Sequence, residues 1–156
     1  MKKTYLFISA FLLLLSLSGV AALSSYSSKP GQDSVADARW PKDSKLSAEQ
    51  EFRLVMFFHP GCPCSKASLE ELSKILGPNL ESTVVILEDP MFKDMLKNNP
   101  LIKKARSMKH VNVVIDHDGH EAKLFGAKTS GATFLYQNSA LSFSGGVTRG
   151  RGHVGG

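Results

Sequence analysis

The chain has 156 residues, of which 42% are hydrophobic and 21% are charged, and its formal net charge is +5 at pH 7. This length accommodates one small domain with a modest core. The lysines between residues 93 and 109 stand among acidic and apolar residues without interleaved aromatics. That pattern is typical of a solvated face, and we predict no nucleic-acid partner.

The N-terminal residues have the pattern of an export signal. Lys2 and Lys3 precede an apolar run from Tyr5 to about Leu23, with small residues in its second half where a peptidase could cut. The run is close to the roughly 20 residues that a membrane span needs. Residues 1–23 are therefore predicted to be either a signal peptide or an uncleaved anchor, and both place the rest of the chain outside the inner membrane.

A linker is predicted for residues 24–37, because this stretch is rich in polar and small residues and contains Pro30 and Gly31. The folded body is predicted to span residues 38–156. Trp40-Pro41 is expected to be the first point at which the chain docks on that body.

The body begins with an apolar run at residues 52–58 that predicts a buried strand covered on both faces. Residues 65–76 place leucines and an isoleucine on one helical face, and Gly77-Pro78 ends that helix. The further predicted elements are a strand at 83–87, short helices at 92–97 and 101–108, a strand at 111–115, a brief helix near 121–125, and a hairpin of strands 132–136 and 140–143. This order predicts a three-layer α/β domain whose parallel strands end in an antiparallel hairpin.

The two cysteines of the chain stand where the first strand meets its helix, as Cys62-Pro63-Cys64. A helix N-terminus stabilises a thiolate, so we expect at least one of these thiols to ionise readily. Pro63 fixes its φ angle and lacks an N–H, which sets the bend in advance. With one residue between them, the two Cα atoms are expected near the upper end of the distance that a disulfide can bridge, which favours a reversible bond. His59 could assist as a cation or as a base.

Several functions are open to this pair. A structural disulfide between neighbours would close almost no loop and would constrain the unfolded chain very little. A zinc site is weakly supported, because no second cysteine pair exists. Copper(I) suits two thiolates better, with His59 or His153 as a third ligand. A thiol peroxidase would usually have a threonine three residues before its cysteine, where this chain has His59.

A family resemblance is carried by four segments. They are Ala38-Arg39-Trp40-Pro41, His59-Pro60-Gly61-Cys62-Pro63-Cys64, Thr129-Ser130-Gly131, and Phe143-Ser144-Gly145-Gly146-Val147-Thr148 with Arg151-Gly152-His153. Across residues 38–153 the chain resembles the bacterial thioredoxin-like proteins labelled RedB. The resemblance implies a thioredoxin-like fold with a central mixed sheet and a redox role. The N-terminal segment predicts a location in or facing the bacterial periplasm, and the dithiol predicts a protein thiol or disulfide as the partner.

The chain departs from ordinary thioredoxins in two ways. Its cysteines are separated by one residue instead of two, and it has no proline after Pro100 where thioredoxins carry one opposite the dithiol. Thr129 and Ser130 occupy that place, and they would offer hydroxyl and backbone groups to the dithiol or to its partner. A thioredoxin-type domain also has a further helix after the position of Gly156, so we expect the chain to be truncated.

These observations predict an exported thiol–disulfide oxidoreductase without a cofactor. Cys62 would attack and Cys64 would resolve the mixed disulfide. The supporting residues would be His59, Pro63, Thr129 and Ser130. The alternative is a copper(I) metallochaperone of the same fold, with the ligands Cys62, Cys64, His59 and His153.

Overall fold

The computed structural model divides the chain into two units, Met1–Pro30 and Gly31–Gly156. The structure describes residues 2–28, 34–47, 50–90, 93–148 and 152. Helix α1 (Lys2–Ser28) occupies the first unit. Its Lys3–Tyr26 stretch has a mean hydropathy of 2.4, and it is long and apolar enough to cross a membrane. A signal sequence near the N-terminus meets the same criterion, so both predicted alternatives stay open.

Helix α1 is longer than the predicted apolar segment of residues 1–23. It continues through Ser28, into the stretch predicted to be a linker. The residues between 24 and 28 include neither proline nor glycine, so nothing in them stops a helix that is already formed. The first helix-breaking pair along the chain is Pro30-Gly31.

One mixed sheet of five strands forms the centre of the second unit. The strands are β1 (Phe52–Phe58), β2 (Glu81–Leu87), β3 (Val111–Asp116), β4 (Ala132–Gln137) and β5 (Ala140–Gly145). Their spatial order is β3-β2-β1-β4-β5. The first three strands are parallel, and β4 and β5 run antiparallel to their neighbours. The predicted parallel strands and the terminal hairpin are confirmed.

Helices lie on both faces of this sheet. They are α2 (Cys64–Ile75), α3 (Lys93–Asn98), α4 (Pro100–Ser107) and α5 (His120–Leu124). On one face, side chains of α2 and α4 such as Leu69 and Ile102 pack with Met56 of β1. On the other face, Phe57 of β1 packs with Phe125, which follows α5. Strand β1 is therefore buried on both faces, as its apolar run without alternation predicted.

An aromatic cluster fills the second face. Trp40 meets Phe125 edge to face with ring centroids 5.0 Å apart, and it meets Tyr136 at 5.2 Å. The Arg53 guanidinium lies 4.3 Å above the Trp40 ring, and burial lowers the pKa of that guanidinium. Two of its nitrogens, Nε and Nη1, have no hydrogen-bond partner among the described residues, so the ring face offsets part of the cost of burying the charge. The predicted docking of Trp40 on the body is confirmed.

The segment before Trp40 is also packed on the body. Gly126 has φ +65°, and a Cβ atom there would lie 2.1 Å from the Val35 carbonyl oxygen. The backbone at Val35, inside the predicted linker, therefore packs on Gly126, because a glycine without a side chain allows the close approach. The segment after Trp40 is held as well. Its Ser44 hydroxyl and Lys45 N–H donate hydrogen bonds to the buried Glu121 carboxylate, at 2.7 Å and 3.0 Å.

Alkaline pH tests the burial of Tyr136. Burial raises the pKa of its hydroxyl to about 12, and the Asp37 carboxylate adds to the increase. In the unfolded chain a tyrosine ionises near pH 10. The free energy of unfolding is therefore expected to be unaffected below about pH 9 and to fall by about 1–3 kcal/mol between about pH 10 and 12.

Urea unfolding of the full chain in detergent micelles between pH 8 and 12 measures the slope of the free energy of unfolding against pH. The variant Tyr136→Phe should lack it, because phenylalanine does not ionise. Tyr5 is 71% exposed in α1, and Tyr5→Phe should keep the slope of the parent. If the Tyr136→Phe protein kept the slope of the parent, the Tyr136 hydroxyl would not be the cause of the alkaline loss of stability.

Candidate active site

The two cysteines form a disulfide between the end of β1 and the start of α2. The Cα atoms of Cys62 and Cys64 lie 5.4 Å apart, and both residues are partly exposed. This distance is in the middle of the range that disulfides bridge, so the expectation of a pair near the upper limit is wrong. The reason is the backbone of Pro63, whose φ of −57° and ψ of −30° are helical and bring its two neighbours together.

The dithiol lies at the N-terminal end of a 12-residue helix. Cys64 is the first residue of α2 and Pro63 precedes it without a side-chain capping bond. The Ser65 N–H donates to the Cys62 carbonyl at 3.1 Å, which closes a turn around the disulfide. A thiolate released here by reduction would meet the positive end of the helix dipole, as the sequence predicted.

Two serine hydroxyls tie the loop before the cysteines to its surroundings. The His59 N–H donates to Ser130 Oγ at 3.0 Å, and Ser65 Oγ donates to the His59 carbonyl at 2.8 Å. The two hydroxyl oxygens are 2.8 Å apart. Since the Ser65 proton is used on the carbonyl, Ser130 must donate to Ser65. The result is a closed hydrogen-bond ring, hereafter the serine ring, formed by the His59 backbone, Ser130 and Ser65.

The loop of Thr129, Ser130 and Gly131 packs against the end of β1 and against α2. The Gly131 N–H donates to the Phe57 carbonyl at 2.7 Å, and the Thr129 carbonyl accepts from the Ala132 N–H at 3.1 Å. Gly131 has φ +92°, and a Cβ atom there would lie 2.6 Å from Ser68 Oγ. Glycine is therefore required at this position, because any side chain would push the loop away from α2. The predicted roles of Thr129 and Ser130 toward a bound partner stay predictions.

The His59 ring lies between the cysteine loop and the end of β2. Its Nδ1 accepts the Gly61 N–H at 3.2 Å, and its Nε2 is 3.8 Å from the Asp89 carboxylate. Because Nδ1 accepts, the proton of the neutral ring belongs on Nε2, where it faces Asp89. The predicted roles of His59 as a base or as a cation stay predictions.

Asn99 contributes to the site, although the sequence analysis placed it only between the two predicted short helices at 92–97 and 101–108. Its side-chain oxygen caps α4 by accepting the Leu101 N–H at 2.9 Å, and its amide donates to the Pro60 carbonyl at 3.1 Å. An asparagine followed by proline is a recognisable helix start, so the cap could have been predicted. The contact with Pro60 could not, because it joins residues that are 39 positions apart.

Replacing Asn99 should loosen the cysteine loop and destabilise the protein. We expect Asn99→Ala to lower the free energy of unfolding by about 1–2 kcal/mol, because it removes a buried cap. Amide hydrogen exchange around Gly61 and Cys62 should also accelerate. Asn98→Ala is a matched control at the neighbouring exposed position. Equal effects of the two substitutions would contradict the role assigned to Asn99.

The described residues contain no group of three or more histidine, cysteine, aspartate or glutamate side chains arranged to hold a metal ion. The proposed ligand His153 lies outside the residues that the structure describes. The copper hypothesis, with Cys62, Cys64, His59 and His153, therefore stays a prediction.

Comparison with known proteins finds similarity among solved structures. No family model matches the chain, and no curated protein matches it, so the RedB resemblance stays a prediction. Among solved structures the chain is similar to a hypothetical protein from Sinorhizobium meliloti, at 18% identity and a TM-score of 0.51, covering 75% of this chain and 70% of that one. An uncharacterised conserved protein from Geobacillus kaustophilus matches at 14% identity and a TM-score of 0.51, covering 76% and 69% of the two chains.

A thioredoxin-like protein from Aeropyrum pernix matches at 12% identity and a TM-score of 0.47, covering 88% of this chain and 92% of that one. In this chain the parallel strands β1 and β2, the antiparallel β4 and β5, and a cysteine pair between β1 and α2 have the arrangement that the sequence predicted. By this topology the fold is thioredoxin-like. At these identities the similarity concerns the fold alone.

Proposed function

We propose that this protein is a thiol–disulfide oxidoreductase that acts outside the cytoplasmic membrane through Cys62 and Cys64. The observation that carries the proposal is a disulfide between two partly exposed cysteines at the N-terminus of α2. A staple across one intervening residue adds almost nothing to stability, so its use is chemical rather than structural. A helix N-terminus favours the thiolate that such chemistry requires.

The reaction proceeds through a mixed disulfide. The Cys62 thiolate attacks one sulfur of a partner's disulfide, the partner's sulfur–sulfur bond breaks, and its other sulfur leaves as a thiolate. The Cys64 thiolate then attacks Cys62, which forms the Cys62–Cys64 disulfide and releases the partner's second thiolate. Two electrons pass to the partner, and the reverse sequence oxidises a partner dithiol.

The assignment of attacking and resolving cysteines is tested with single serine variants. Cys64→Ser should accumulate a mixed disulfide through Cys62 when it is mixed with insulin, because no thiol remains to resolve it. Cys62→Ser should accumulate far less, and neither variant should turn over insulin disulfides above the uncatalysed rate. Non-reducing gels and mass spectrometry of the full chain in detergent measure both properties.

Three outcomes would contradict the proposal or its assignment. Variants that reduce insulin as fast as the parent would show that the dithiol is not reactive. Trapping by Cys62→Ser alone would reverse the two roles. A parent that fails to turn over disulfides but binds one Cu(I) per chain against a competing chelator would favour the copper hypothesis instead.

The proposed location rests on α1. A helix of this length and hydropathy at the N-terminus either anchors the chain or directs its export, and the lysines before it favour a cytoplasmic N-terminus. Disulfide chemistry is also favoured in an oxidising compartment.

A membrane-impermeant maleimide tests this location in intact spheroplasts after mild reduction. We expect labelling of Cys62 and Cys64 without lysis, with no further gain when the cells are opened. Labelling that appears only after lysis would contradict a location outside the membrane. The mass of the labelled protein shows at the same time whether α1 is retained.

A further inference from the structure

We propose that Ser65 and Ser130 are positioning residues that hold Cys62 and Cys64 at disulfide-forming distance and thereby set the stability of their disulfide. The biological use of this device rests on the proposed function. Its measurement does not, because the equilibrium between dithiol and disulfide can be determined whether or not the protein catalyses exchange with other proteins.

The serine ring acts directly on the backbone of Cys62. The His59 carbonyl, which accepts from the Ser65 hydroxyl, also accepts the Cys62 N–H at 3.1 Å. The Cys62 carbonyl accepts the Ser65 N–H, also at 3.1 Å. Both backbone polar groups of Cys62 are thus bonded to residues of the ring, so a shift of the ring moves the sulfur-bearing residue with it.

The ring joins the β1–α2 junction to a loop that is distant in sequence. His59 follows β1 and Ser65 lies in the first turn of α2, whereas Ser130, which precedes β4, comes 65 residues after Ser65. The loop with the cysteines is therefore anchored from outside as well as by its own turns. No local sequence pattern could provide this restraint.

Burial of the Ser65 hydroxyl makes its two hydrogen bonds difficult to replace by bonds to water. Ser65 is 1% exposed, and its hydroxyl both donates to His59 and accepts from Ser130. Without this hydroxyl, the Ser130 proton loses its acceptor and the His59 carbonyl loses one of its two donors. A buried polar group without a partner is costly, so the loop is expected to relax away from the arrangement that keeps the cysteine Cα atoms 5.4 Å apart.

This restraint acts on the redox equilibrium through chain entropy. Formation of the disulfide requires both thiols in one geometry, and a loop already held in that geometry loses less freedom when the bond forms. In the reaction of the Cys62–Cys64 disulfide with two molecules of glutathione, two thiols and one glutathione disulfide are produced, and two electrons are transferred. Breaking the ring should favour the dithiol side of this reaction.

The test is an equilibrium titration of the full chain in detergent across glutathione redox buffers, with free thiols trapped by alkylation and counted by mass. We expect Ser65→Ala and Ser130→Ala each to lower the effective concentration of the two thiols about tenfold, which for a two-electron couple raises the reduction potential by about 30 mV. The double variant should shift no further than either single one, because one broken bond opens the whole ring.

Two further variants separate positioning from general stability. Ser130→Thr keeps the hydroxyl at a partly exposed position and should restore the potential of the parent. Ser68→Ala is the matched control, since Ser68 is a buried serine in the same helix that faces Gly131 without belonging to the ring. It should leave the potential unchanged even if it alters the free energy of unfolding.

The proposal would be overturned if Ser65→Ala and Ser130→Ala kept the parent's potential, or if Ser68→Ala shifted it equally. If Ser65→Ala fails to fold, Ser130→Ala and its threonine counterpart provide the same test. A parent that forms the disulfide reversibly but does not turn over insulin would contradict the proposed function alone. Variants with the parent's potential in a catalytically active protein would contradict the positioning role alone.

Discussion

The loop that carries the dithiol depends on hydrogen bonds from elements that surround it. The His59 carbonyl accepts hydrogen bonds from Ser65 and Cys62, and the His59 N–H donates to Ser130. The carbonyl of the next residue, Pro60, accepts a hydrogen bond from Asn99. Ser65 is fully buried and Asn99 nearly so, which limits the access of water to these two side chains. A reactive disulfide needs a defined geometry, and here the surrounding polar side chains provide it.

The two faces of the sheet serve this loop differently. The face covered by α2 and α4 contains Met56 and Leu69, and it holds the helix whose first residue is Cys64. The opposite face is filled by aromatic side chains such as Phe57, Phe125 and Tyr136, onto which Ala36, Trp40 and Leu46 pack. Burial of β1 on both faces gives the end of that strand a rigid support, and the cysteine loop begins directly after it.

Much of the fold could be predicted from local patterns, because the patterns there are strong. The apolar run at residues 52–58 is interrupted by a single arginine, and the predicted strand has the observed bounds. Helix α2 lies within one residue of its predicted limits, because its apolar residues recur with a strong helical spacing. The linker over residues 24–37 stays a prediction, and within that stretch helix α1 continues to Ser28 and Gly126 lets the backbone near Val35 pack closely.

The sequence alone located the reactive chemistry, because two cysteines at a strand–helix junction are visible without any structure. It also indicated the order of parallel and antiparallel strands through the periodicity of apolar residues. The surroundings of the dithiol were decided by tertiary structure alone. The hydroxyls of Ser65 and Ser130 meet only after α2 and β4 have packed on β1, and serine has no periodic signal that would reveal such a meeting.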